Sequence, residues 1–174
     1  MTASILLPLY VYPSVGAWDP VYEMFATSVS ETSYFLLMPV SDQYRVSTHP
    51  RVHFTAIVNP NSGPGESALP DELYLQAIKR LNAFDNVRTV GYVATTWCAR
   101  DLSLVLDDIA VYSGWGGFNP SWAMNGIFFD ETPTNYDQRN VTFLQTISEA
   151  VRNSHGLKDA YVGKAPFISA FGVS

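Results

Sequence analysis

Asp130 and Glu131 stand side by side at the end of the run Gly126-Ile-Phe-Phe-Asp-Glu131. The three residues ahead of them, Ile127, Phe128 and Phe129, read as a strand buried on both faces, the kind found in parallel sheets. Burying charge is costly unless the charge is paired or used. The carboxyl end of such a strand is where α/β sheets bind ligands. Two carboxyl groups there have the parts for glycoside hydrolysis: one acid protonates the leaving oxygen and the other acts as nucleophile or base. Either could instead cap the next helix or pair with an arginine. Neighbours on a regular strand point to opposite faces. Both acids can therefore serve one pocket only if the strand breaks there, and Thr132-Pro133 supplies a break.

Other strand ends add to the same edge: Tyr10 and Tyr12, then Asn59, then Thr95, Thr96 and Trp97. Aromatic, amide and hydroxyl groups beside carboxylates suit a sugar, whose hydroxyls need partners and whose C–H faces stack on rings. Each has a plainer reading as well. The tyrosines could simply pack, and Asn59 before Pro60 is a common turn former. Trp115 and Trp122, near a Gly114-Trp-Gly-Gly117 stretch that reads as a flexible loop, are further candidates for sugar stacking.

The elements that must position these groups alternate along the chain. Strand-like runs fall at 5–12, 52–59, 87–95 and 126–131. Helical patterns fall at 19–25, 71–84, 101–112 and 137–152, with Asp19-Pro20 opening the first. Leu73, Ala77 and Leu81 share one helix face, as do Leu102, Val105, Ile109 and Tyr112. The βαβαβαβα order implies a parallel sheet with covering helices. Periodicity leaves both a doubly wound open sheet and a (β/α)8 barrel open. A complete barrel needs about 250 residues, and this chain has 174. Residues 34–38 are a possible extra strand, and the stretch after Gly156 shows no clear period.

The composition, 47% hydrophobic and 14% aromatic, is that of a globular chain, long enough for one domain. A net charge of −6 without a basic stripe argues against nucleic acid. Cys98 is the single cysteine, so no intrachain disulfide forms. His49, His53 and His155 lack metal-ligand spacing, and His53 reads as a core histidine inside a strand. Ser62-Gly-Pro-Gly65 lacks the Lys-Ser/Thr of a phosphate loop, and Pro64 removes a donor. No metal or cofactor is expected. No run is long enough to span a membrane, and no basic segment precedes the first apolar run as in a signal peptide. The Asn140-Val141-Thr142 sequon matters only for a secreted chain.

Several segments together resemble the spherulation-specific family 4 (spherulin-4-like) proteins, which include glycoside hydrolase family 135. They are Pro8-Leu-Tyr-Val-Tyr-Pro13 with Trp18-Asp-Pro20, Val58-Asn-Pro-Asn-Ser-Gly-Pro-Gly65, Val90-Gly-Tyr-Val-Ala-Thr95, Tyr112-Ser-Gly-Trp115 and Gly126-Ile-Phe-Phe-Asp-Glu131. They cover residues 5–25 and 52–152 in family order. The resemblance implies a parallel (β/α)8 barrel and hydrolysis of an α-1,4-linked N-acetylgalactosamine or galactosamine exopolysaccharide. It places Asp130 and Glu131 in an acidic catalytic group at the barrel mouth. On this reading Tyr12, Asn59, Tyr92 and Trp97 contact substrate, the partner is a polysaccharide, and the protein is a monomer. The resemblance also implies a fungal, extracellular or cell-surface setting.

Two departures accompany it. Residues 26–50 read as an insertion, and 157–174 read as an atypical tail without family likeness. The chain looks like the first half of a barrel, lacking a glutamate that the family draws from a later strand. A retained intron or a mistaken gene model would account for both. Alternatives to an endo-acting glycosidase are therefore a non-catalytic carbohydrate-binding or spore structural protein, or an inactive truncated product.

Overall fold

A computed structural model of the chain describes residues 3–29 and 52–166. Five strands form one sheet in the order β1-β2-β3-β4-β5: Ala3–Leu9, Val52–Val58, Val87–Ala94, Gly126–Thr132 and Tyr161–Pro166. Every neighbouring pair is parallel. Between them run α1 (Asp19–Val29), α2 (Glu72–Leu81), α3 (Leu102–Phe118) and α4 (Gln138–Arg152). Strand order never reverses, so the sheet is singly wound and not doubly wound. Among the described residues β1 and β5 do not pair, and the sheet is open rather than a closed barrel.

An aspartate starts each of the last three helices. Asp71 Oδ1 accepts the N–H groups of Leu73 and Tyr74 at 3.0 and 3.1 Å. Asp101 and Asp137 accept from Ser103 and Arg139 at 2.8 and 2.7 Å. Each satisfies backbone donors that a helix start leaves unpaired.

Strand alternation then divides the sheet into two faces. Phe54, Ala56 and Val58 of β2, Val93 of β3, and Ile127 and Phe129 of β4 belong to the main core. They pack with Ile78 and Leu81 of α2, Val105, Ile109, Tyr112 and Trp115 of α3, and Ile147 and Val151 of α4. Tyr22 and Phe25 of α1 join the same core, so all four helices lie on one face. The other face carries a second, smaller cluster of Ile57, Val90, Tyr92 and Phe128.

The structure corrects several expectations. The fifth strand, Tyr161–Pro166, lies in the stretch expected to lack regular structure, and it pairs with β4 along its length. The Gly114–Gly117 stretch is not a loop: α3 continues through it to Phe118. Trp115 is fully buried and is unavailable to stack on a sugar, and Trp122 is partly buried against the same core. A Cβ at Gly116 would come within 2.8 Å of the Ala123 Cβ and 2.9 Å of the Gly156 carbonyl oxygen. Glycine is there for close packing. His53 is exposed at the start of β2, not a core histidine. Residues 26–29 complete α1, so the expected insertion does not begin at 26. The remainder of the 26–50 segment, with the possible strand at 34–38, and residues 167–174 lie outside the described residues.

Candidate functional site

The acid pair sits at the carboxyl edge of β4, on the side of the sheet away from the helices. Phe128 faces that side, and Asp130 follows two residues later on the same face. The break that frees Glu131 comes earlier than Thr132-Pro133. On β4, Phe129 pairs with Lys164 and Thr132 with Pro166, so Asp130 and Glu131 stand opposite the single residue between. This is a β-bulge, which re-aims side chains and occurs beside active sites. Glu131 takes φ +54° within it, a left-handed conformation uncommon for a residue with a Cβ.

Asp130 is hydrogen-bonded on both oxygens. Tyr92 donates its hydroxyl to Oδ2 at 3.0 Å, and the Glu131 N–H donates to Oδ1 at 2.8 Å. Tyr10 packs edge-on against Tyr92, with ring centroids 5.6 Å apart and planes at 83°. Burial pushes the Tyr10 phenol up to about 12, and the Asp130 charge adds to it. Tyr92 is raised further, by burial first, then by the Asp130 charge and hydrogen bond, with Tyr10 and Glu131 contributing. Both acids therefore act electrostatically on one phenol, which keeps its proton and remains a donor.

Below the pair, Thr95 is completely buried. Its N–H lies 3.1 Å from the Asp130 carbonyl oxygen, and its Oγ1 lies 3.0 and 2.9 Å from the carbonyl oxygens of Asp130 and Glu131. Beyond Thr95 the chain makes a turn through Thr96, Trp97 and Cys98 with φ of +48°, +51° and +63°. Three left-handed residues in a row, one of them β-branched, cost on the order of 1 kcal/mol each. The turn leaves Trp97 half exposed. Strain of this kind collects at functional sites. Burial raises the Cys98 thiol, partly offset by the charge of Lys164.

Arg100, a base near this edge, is committed elsewhere. Arg100 Nη1 pairs with Asp108 Oδ2 at 2.7 Å and donates to the Ala94 carbonyl at 3.1 Å. Among the described residues no basic side chain pairs with Asp130 or Glu131. No three His, Cys, Asp or Glu residues among those described are grouped to hold a metal. No described helix is long and apolar enough to cross a membrane.

The expected substrate contacts separate into groups. Tyr92 touches Asp130 itself, and Trp97 stands on the strained turn that follows β3. Tyr12 and Asn59 belong to a different neighbourhood, around Tyr74. The Tyr12 ring is half exposed and meets Tyr74 edge-on at 5.5 Å, and its phenol is raised by desolvation first and by the neighbouring Asp71 second. Asn59 Oδ1 accepts the Gly63 N–H at 3.1 Å, and the Asn59 carbonyl accepts the Tyr74 hydroxyl at 3.3 Å. Tyr12 and Tyr74 line a cleft of about 190 Å³ with Glu66 and Asp71. Two further clefts lie against α1 and at the amino edge of the sheet. The acid pair lines none of the three. Asp130 faces the open side of the sheet.

Sequence reasoning placed Tyr10 and Thr95 at the strand ends but did not select them. The alternation of β1 would have found Tyr10, since Leu9 is buried in the core and its neighbour must face the other way. Thr95 gave no comparable signal, because its value lies in bonds to a bulge on the neighbouring strand, 35 residues away in sequence.

A singly wound parallel sheet with helices on one face defines an α/β protein, and its acidic, tyrosine-rich carboxyl edge is the candidate site. The chain matches the spherulation-specific family 4 over residues 4–168, and it belongs to that family. The matched range runs from residue 4, across the 26–50 segment, to residue 168. Spherulin-4 of Physarum polycephalum is 31% identical over 153 residues, covering 87% of this chain and 36% of its relative. The crystal structure of Aspergillus clavatus Sph3, in complex with GalNAc, is similar with a TM-score of 0.77 and 39% identity. That likeness covers 95% of this chain and 58% of Sph3. The chain thus spans about a third of the curated relative and little more than half of the solved one.

Proposed function

We propose that this protein carries the acid pair of an endo-acting glycosidase that cleaves an α-1,4-linked N-acetylgalactosamine or galactosamine exopolysaccharide at the cell surface or outside the cell. The observation that carries this reading is the bulge at Asp130 and Glu131. It places two adjacent carboxyl groups, unpaired with any described base, beside a phenol at the ligand-binding edge of a parallel sheet. Family membership and the GalNAc complex of Sph3 support the substrate class. The sequential strand order and the 0.77 TM-score support the sheet as five strands of a (β/α)8 barrel.

The hydrogen bonds of Asp130 support one division of roles. An ionised carboxylate only accepts, and both oxygens of Asp130 accept. Asp130 thus fits the nucleophile or electrostatic stabiliser of the positive charge that develops at the anomeric carbon. Glu131 protonates the glycosidic oxygen as its bond to that carbon breaks, and water completes hydrolysis. Trp97 offers a stacking face near the acids, while Tyr12 and Asn59 contact the polymer further along.

A second reading, sugar binding without cleavage, draws support from the GalNAc that the similar Sph3 structure holds. The test is release of reducing ends from purified α-1,4-linked N-acetylgalactosamine polymer. Asp130→Asn and Glu131→Gln should each lower the rate about a hundredfold or more. Binding of the polymer by the wild-type protein with no release of ends would replace the first reading with the second.

A further inference from the structure

The backbone of the acid pair is strained, and a buried side chain on the neighbouring strand end holds it. A bulge interrupts the sheet ladder locally, and Glu131 adds the cost of a left-handed residue. Such a conformation persists only when its surroundings over-determine it. Thr95 is the residue that reaches both carbonyls of the bulge. Its N–H donates to the Asp130 oxygen at 3.1 Å, and its Oγ1 stands 3.0 and 2.9 Å from the oxygens of Asp130 and Glu131. A hydroxyl has one proton to donate, so it is shared between the two carbonyls. The side chain has no solvent exposure, so water cannot take its place.

We propose that Thr95 is a positioning residue, whose hydroxyl pins the Asp130–Glu131 bulge and thereby fixes where the two carboxyl groups point. The role rests on the glycosidase reading given above. Thr95 does not face substrate; it acts through the backbone of the acids. Loss of the hydroxyl leaves the Glu131 carbonyl without this donor, and the left-handed residue relaxes. A small misplacement of catalytic groups is enough to slow the chemistry severely.

Thr95→Val keeps the shape and removes the hydroxyl, whereas Thr95→Ser keeps the hydroxyl. Thr95→Val should lower kcat by between about tenfold and a hundredfold with KM nearly unchanged, and Thr95→Ser should stay near wild type. Equal losses in both variants, or a loss confined to KM, would overturn the proposal. Amide hydrogen exchange at Glu131, whose N–H donates to Asp130 Oδ1, provides a readout that needs no turnover. It should quicken in Thr95→Val relative to wild type and Thr95→Ser, and unchanged exchange would also overturn the proposal. If the wild-type protein cleaves nothing, the glycosidase reading fails while the exchange comparison still decides the clamp. Should Thr95→Val not fold, the wild-type Glu131 amide carries the test: protection supports the clamp, and exchange as fast as an unstructured amide refutes it.

Discussion

Replacing Tyr92 by phenylalanine removes one oxygen from the candidate site and little else. The ring keeps its edge-on contact with Tyr10 and its packing with Ile57, Val90 and Phe128. What disappears is the 3.0 Å donor to Asp130 Oδ2. A hydrogen bond to a charged group is worth about 1.5–3 kcal/mol. Asp130 is only partly buried, so water recovers some of that, and the lower end applies. About 1.5 kcal/mol lost from the transition state lowers the rate roughly tenfold. The folded state loses about 1 kcal/mol or less, which for a chain of this size moves Tm by about 2–4 °C. Initial rates on the galactosamine polymer, read alongside a thermal melt, measure both. A Tyr92→Phe rate within about twofold of wild type, where roughly tenfold is expected, would refute a working contact between phenol and carboxylate. A melting point lowered by far more than about 4 °C would show that the oxygen serves the fold instead.

Two other outcomes follow from the packing and the phenols. Gly91→Ala places a Cβ 2.6–2.7 Å from the ring of Tyr112, which is fully buried and tethered by its hydroxyl to the Val58 carbonyl at 3.2 Å. The ring has no room to withdraw, so stability should fall by about 1–3 kcal/mol; an unchanged urea midpoint would contradict this contact. Tyr10 and Tyr22 are each raised from 10.0 to about 12. Above the unfolded value the unfolded chain loses protons that the folded chain keeps, so stability is whole below pH 10 and declines as pH climbs toward about 12. Urea midpoints that stay constant across that interval would rule the effect out.

The first four strands and their helices were legible because those strands are rich in apolar residues and each of the last three helices opens on an aspartate cap. What was illegible depends on neighbours distant in sequence. Gly114, Gly116 and Gly117 read as a loop by propensity, yet burial of Trp115 and the tight approach of Ala123 to Gly116 keep α3 intact to Phe118. Tertiary packing there overrides helix propensity. The fifth strand contains Gly163, Lys164 and Pro166 and shows no period of its own; its register comes from β4. The acids themselves were visible from residue type alone. Their geometry was not, since a bulge and a left-handed glutamate leave no mark in composition. Asn59 illustrates the limit of type-based reading, because its side-chain oxygen serves the Gly63 turn.

The unbroken strand sequence from β1 to β5 has a kinetic consequence. As a nascent chain leaves the ribosome amino end first, each new strand meets a template completed just before it. The described sheet can grow by accretion, one βα unit at a time, with each strand from β2 to β5 pairing to the strand made just before it. Loop-closure entropy is then met in modest steps.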